Sequence, residues 1–315
     1  MDPQINHGIH RLLNNLGFVV LSEDCIPKQP QRPSIHVLNQ WTFHARMYNA
    51  AQFVCSQKNM EMIQLVSFGC GIDAITTDEV KDILRSHNKL YTQIKIDEVD
   101  NLGAVKNSLS FFTGRNGRKR GITMQRVEFT KEMKKTHKIL VPMMLPIHFQ
   151  FLQNIFHKEG YNVELLETKG QSIIDEGLKN VHNDTCYPAL LVIGQMIDAL
   201  KSGKYDTDHV ALAITQTGGG CRASNYIHLL RKALVQAGFA HVPVISVNFS
   251  KLEKNSGFKL TPSMLLRLLY GFLYGDMLMW LKNQCKPYEL EKGSSDALVT
   301  TWIETITREF DSLSF

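Results

Sequence analysis

Short runs of aliphatic and β-branched residues alternate along the chain with longer stretches in which apolar positions recur three and four apart. That alternation predicts a parallel sheet wound with helices, the α/β class. In the first half "INHGIHRLLNNLG" reads as a helix stopped by Gly17, and "FVVLS" as a strand after it. "EMIQLV" is a strand leading through "SFGCG" into a helix from about Thr77, "LYTQIKID" the next strand and "NLGAVKNSLSFFTG" the next helix. The rhythm then restarts. "HKILVPMM", "YNVELLE", "HVALAIT" and "VPVISVNF" read as strands, and "PIHFQFLQNIFHKEG", "CYPALLVIGQMIDALKSG" and "ASNYIHLLRKALVQAG" as helices between them. Pro188 falls near a helix start, where a missing N–H costs little. Residues 262–285 and 296–309 look purely helical.

This pattern divides the chain into a partial Rossmann-like lobe (1–118), a basic linker (119–134), a second Rossmann-like lobe with cysteine loops (135–258) and a helical carboxyl-terminal segment (259–315). Its 315 residues exceed the usual single-domain size. The first lobe opens on a helix rather than a strand, and the chain trails off after helices. Both lobes therefore read as incomplete, and a piece of something longer is the expectation.

Composition narrows the class. With 43% hydrophobic and 21% charged residues the chain has the make-up of a globular protein. A net charge of +5 is too small to argue for nucleic acid, and its basic concentration in "GRNGRKRGITMQR" reads as a solvated linker. "MDPQINHGIHRLL" lacks the basic-then-apolar start of a signal peptide, so a cytoplasmic location is expected. "MLLRLLYGFLYGDMLMWL" carries Arg267 and Asp276 and is short for a span, so no membrane partner is expected and a buried or interfacial helix is the reading.

The six cysteines, without an export signal, do not suggest a disulfide framework. Three share one setting, a turn between a strand and a helix. Cys221 follows Gly218, Gly219 and Gly220; Cys70 lies between Gly69 and Gly71; Cys186 precedes a helix, with Asn183 and Asp184 as potential caps. Ligands of open α/β sheets bind at the carboxyl ends of strands, and a helix amino terminus favours a thiolate. Glycines leave room beside the sulfur for something bulky. No CxxC pair is present, which disfavours a zinc ribbon, whereas single cysteines at loop tips suit an iron–sulfur cluster held between lobes. Gln216, Thr217 and Ser67 are candidate hydrogen-bond donors around it, or ordinary turn residues. Cys25 reads as a bystander, and Cys55 and Cys285 as packing residues. There is no GxxxxGK[ST] and "GGGCR" is not GxGxxG. A Cys221 nucleophile with His148, His182 or His209 as base stays open, as does a scaffold whose cysteines hold nothing.

Taken together, "DPQINHGIHRLLNNLGFVVLSED", "LVSFGCGIDAITTDEVKDIL", "YTQIKIDEVDNLGAVKNSLSFF", "HNDTCYPALLVIGQMIDALKSGKYD" and "ITQTGGGCRASNYIHLLRKAL" resemble the carboxyl-terminal region of acyl-CoA dehydratase activase-related proteins. These are relatives of 2-hydroxyglutaryl-CoA dehydratase and benzoyl-CoA reductase components, and the resemblance covers nearly the whole chain. It implies Rossmann-like lobes holding a 4Fe-4S cluster through loop cysteines, carried here onto Cys186, Cys221 and Cys70. It also implies an ATP-hydrolysing activator as electron donor, dehydratase subunits as partners, and an acyl-CoA thioester as electron acceptor. The activator ATPase lobes of the larger proteins are not in this sequence. A cluster-carrying module without its own substrate, or an inactive fragment, is the alternative.

Overall fold

In the computed structural model the described residues are 8–27, 35–39, 41–66, 73–95, 126–181, 185–216, 222–248, 253 and 255–310. Two parallel sheets organise them. The smaller pairs β1 (Met62–Val66) with β2 (Tyr91–Lys95), Met62 facing Tyr91. In the larger the strands lie in the order β4 (Val163–Leu166), β3 (Lys138–Pro142), β5 (Val210–Thr215), β6 (Val244–Val247). The α/β expectation holds.

The larger strands are apolar on both faces because helices cover both, as parallel sheets require. Ile139, Val141, Val163, Leu165, Ala211, Ala213 and Ile245 point to one side, onto α5 (Pro146–Lys158), α9 (Pro262–Cys285) and α10 (Ser294–Glu309). Leu140, Leu166, Val210, Leu212, Ile214 and Val244 point to the other, onto α7 (Tyr187–Lys201) and α8 (Tyr226–Ala237). The order 4-3-5-6 places β3 between its successors β4 and β5. A change in winding direction falls there, and in open sheets that is where ligand crevices open.

Among the described residues three helices accompany the small sheet. α1 (Ile9–Asn15) sets Ile9 and Leu13 against Ile94, Ile63 and Leu65. α2 (Thr42–Ser56) and α3 (Asp73–Ser86) pack Tyr48, Ala51, Val80 and Leu84 beside Met62 and Tyr91. The two sheets are joined through α3. Ile75 enters the apolar cluster of α7 and α8, and Lys232 of α8 donates to Asp78 at 2.6 Å and Asp82 at 2.5 Å.

Several expectations are corrected. "FVVLS" forms no strand: residues 18–22 pair with no described strand, and Val19 is 90% exposed. α3 begins at Asp73 rather than Thr77, because Ala74 and Ile75 already occupy its buried face. The short α4 (Met133–Thr136) and α6 (Gln171–Asn180) were not anticipated. Residues 126–134, read as the end of a solvated linker, pack into the larger unit. Phe129 is fully buried there and its carbonyl accepts from the Gly257 N–H at 3.0 Å. Nor do the final helices stand apart, since Val299, Ile303, Ile306 and Phe310 complete the core under α5. The helix expected over 101–114 lies outside the described residues.

Pro262–Tyr288 is long and apolar enough to cross a membrane by length and composition. One face of it is nevertheless docked inside the protein. A Cβ on Gly271 would come 3.3 Å from the Phe151 Cβ, and one on Gly275 2.5 Å from the His148 ring. His148 Nε2 bonds Asp276 Oδ1 at 3.0 Å, and Arg267 reaches Glu159 at 3.1 Å.

Candidate functional site

Cys186 caps the amino terminus of α7 in an extended conformation (φ −59°, ψ 142°); its carbonyl accepts from the Leu190 N–H, and Pro188 stands in the first turn. Asn183 and Asp184, expected as caps, lie outside the described residues. The half-buried sulfur sits 2.8 Å from the hydroxyl of Tyr226, the first residue of α8. Beside it the Thr185 hydroxyl oxygen is buried without a hydrogen-bond partner.

A buried amide sets the position of α7. Gln195 receives the Met143 N–H at 3.1 Å and donates to the carbonyls of Leu166 at 3.0 Å and Thr168 at 2.8 Å. These groups lie at and just past the carboxyl ends of β3 and β4, where the strand ladder runs out, and an unpaired buried peptide there would cost about 1–3 kcal/mol. Gln195 stands nine residues after Cys186, so the amino end of α7 reaches roughly 13 Å along the helix axis from this tie. Cys186 is thus held on the carboxyl side of the sheet.

The strand end that leads to the glycine loop is fixed in a similar way. Gln216, 2% exposed, donates to the Ser224 carbonyl at 2.9 Å and accepts from Ser246 Oγ at 2.6 Å, which in turn accepts from Asn248 at 2.7 Å. Its side chain braces the two ends of the loop against β6. The neighbouring Asn225 accepts the Leu38 N–H at 2.8 Å through its side-chain oxygen, drawing residues 35–39 of the first unit to the start of α8. Behind it His228, buried beside Arg231, is pushed down to about 4, first by desolvation and then by the guanidinium charge.

Of the expected metal residues, Cys186 is described, whereas Cys70 and Cys221, with Gly69, Gly71, Gly218, Gly219 and Gly220, lie outside the described residues, as do Ser67 and Thr217. The helices that follow them are described and meet. α3 starts three residues after Cys70 and sends Ile75 into the cluster that holds Ile227; α8 starts five residues after Cys221 and sets Tyr226 on Cys186. Among the described residues no group of three or more His, Cys, Asp or Glu side chains is arranged to hold a metal ion.

The other cysteines separate cleanly. Cys25 is exposed; Cys55 packs under α3, donates to the Ile83 carbonyl at 3.6 Å, and burial raises its thiol to about 11. Cys285 is exposed at the end of α9, not packed as expected. The histidine-base reading finds no support in two of its three candidates. His148 of α5 is buried against Asp276 of α9, and His209 bonds Asp206 at 2.7 Å beside the amino end of β5. His182 lies outside the described residues.

No family model, curated protein or solved structure matches the chain. Tyr226 and Gln195 were missed by sequence reasoning. Gln195 had a signal, a lone amide inside the apolar run "LLVIGQMIDAL". Tyr226 had none, since its role depends on a neighbour 40 residues away.

Proposed function

We propose that the chain is a cytoplasmic iron–sulfur protein related to 2-hydroxyacyl-CoA dehydratase components, with two Rossmann-like lobes gripping a 4Fe-4S cluster through Cys186, Cys221 and Cys70. The observation that carries this reading is the meeting of the starts of α7 and α8, Cys186 against Tyr226, with Ile75 from the first turn of α3 in the apolar cluster of those two helices; each of the three helices is preceded or capped by one of the three cysteines. Helix amino termini favour anionic thiolates, and a buried site between lobes excludes water. The donor set is chemically apt, because the sulfur of Cys186 is half-buried, accompanied by a phenol that can donate to it and by the unpaired hydroxyl of Thr185.

When bound, such a cluster supplies one-electron chemistry at low potential, here toward an acyl-CoA with an ATP-hydrolysing activator as donor. The chain's own residues do the positioning. Cys186 presents its sulfur at a helix cap, Gln195 fixes that helix to the sheet edge, and the Tyr226 hydroxyl, 2.8 Å from the sulfur, would donate to it once it is a ligand and so tune its electron density.

Anaerobic purification with iron and sulfide analysis tests the assignment. The expected result is a brown protein with equal iron and acid-labile sulfide, which loses its visible absorbance in Cys186→Ser and in Cys221→Ser. A chain that stays colourless after anaerobic reconstitution overturns it. Turnover of 2-hydroxyacyl-CoA thioesters with an activator then distinguishes a dehydratase component from a cluster-carrying module without its own substrate.

A further inference from the structure

An open cleft of about 650 Å³ lies between the last turn of α5, the second turn of α9 and the end of α10. That volume is within the roughly 300–1,000 Å³ of small-molecule sites. α5 leaves the carboxyl end of β3 and returns to the amino end of β4, where His157 donates through Nε2 to the Val163 carbonyl at 2.6 Å. The cleft and Cys186 therefore sit at opposite edges of one sheet. Among the described residues that line it the charge is one-sided. Lys158, Arg267 and Arg308 reach it from three different helices, against the carboxylate of Glu304. Glu159, beside the cleft, accepts one N–H of Arg267 at 3.1 Å, yet the Nε–H of that guanidinium is buried without a hydrogen-bond partner. The Lys158 ammonium is held below its ordinary range, first by desolvation and next by the Arg267 charge. Cations gathered in a cleft repel one another and focus their field on an incoming anion.

We infer that this cleft binds a small phosphate monoester, its phosphate held by Lys158, Arg267 and Arg308 and its organic body against Phe310. A phosphate carries about −1.5 to −2 charge and three acceptor oxygens, so it satisfies cations that converge from three directions. A carboxylate, with one charge and a planar pair of oxygens, matches a single guanidinium fork. Asn154, which gives one N–H to the Thr307 hydroxyl at 3.2 Å, adds a neutral donor to the wall. Below the charges the floor is apolar, made by Ile155 and Phe310. The cleft thus pairs a cationic rim with an apolar base, the division of labour of a site for an organic phosphate.

Isothermal titration calorimetry of the full chain with phenyl phosphate at low salt tests this. One saturable site is expected, with a dissociation constant at or below about 1 mM. Lys158 and Arg308 are exposed, so Lys158→Gln and Arg308→Gln should keep the parent's thermal melt by circular dichroism. Each should weaken binding by about fivefold or more. Glu304→Gln, which removes the opposing charge, should tighten it, a gain that a variant damaged in folding would not show. No saturable heat up to about 10 mM overturns the inference, as does binding indifferent to both cation variants. Succinate competing as well as phenyl phosphate overturns it in favour of a carboxylate ligand. Inorganic phosphate binding as tightly as phenyl phosphate overturns it too, leaving an adventitious ion only.

Discussion

A phenol 2.8 Å from a thiol is an interaction whose strength depends on the charge of the sulfur. A thiolate or cluster-bound sulfur is the better acceptor, and a hydrogen bond to it stabilises the more electron-rich, reduced state. Replacing Tyr226 with Phe keeps the ring and removes the donor. With a hydrogen bond worth about 1 kcal/mol, the one-electron reduction potential of the reconstituted protein should fall by roughly 40 mV in Tyr226→Phe. Potentiometric titration followed by electron paramagnetic resonance reads that shift. Iron content should stay at the parent level, so an unchanged potential would show that the phenol does not address the bound sulfur. Cys186 was legible in the sequence because its helix start is marked by Pro188 two residues on. Its phenol partner was not, because nothing in "ASNYIHLL" reveals which neighbour the first helical ring will meet.

At the scale of elements, α6 and α7 approach closely enough that their backbones touch. A Cβ on Gly194 would lie 1.9 Å from the Ile173 carbonyl oxygen, and one on Gly177 2.5 Å from that of Leu190. Neither neighbour is a flexible side chain, so the helices themselves must separate. Gly194→Ala should therefore destabilise the protein by about 1–3 kcal/mol despite alanine's better helix propensity. A urea-unfolding midpoint lower than the parent's checks this, and an equal or higher midpoint contradicts it. The same pair explains what the sequence concealed. α7 is a long apolar run and was read correctly, whereas α6 is short, with Gly177 inside it, and carries the signature of a loop. The residue that weakens it as an isolated helix is the one that lets it dock. "FVVLS" failed for the complementary reason: its β propensity is high, but propensity makes a strand only where a partner edge receives it.

Across the whole molecule, the joint between the two sheets carries a built-in pH dependence. His228 is held near 4, well below its ordinary 6.5, chiefly by burial. An unfolded chain would bind a proton there between those values while the native chain does not. The stability His228 contributes is thus complete above 6.5 and is lost as pH falls toward 4, by up to about 3 kcal/mol. His36, raised by its hydrogen bond to Glu79, acts in the opposite direction, contributing stability below its ordinary value that fades as pH rises. The difference between the parent and His228→Gln isolates the first effect. Urea midpoints measured from about pH 7.5 to pH 4.5 should fall less steeply in the variant, and parallel slopes would refute the assignment. The wound α/β plan was visible at this scale from strand and helix rhythm alone. The junction was not, since Lys232 meets Asp78 and Asp82 across some 150 residues of sequence, and each reads locally as an ordinary solvated charge.

One amide has a reach larger than its size. Because Gln195 pins the middle of α7 to peptide groups at the ends of two strands, the far tip of that helix inherits the stiffness of the sheet. The sulfur at that tip is an anchorage: whatever engages it must travel to it.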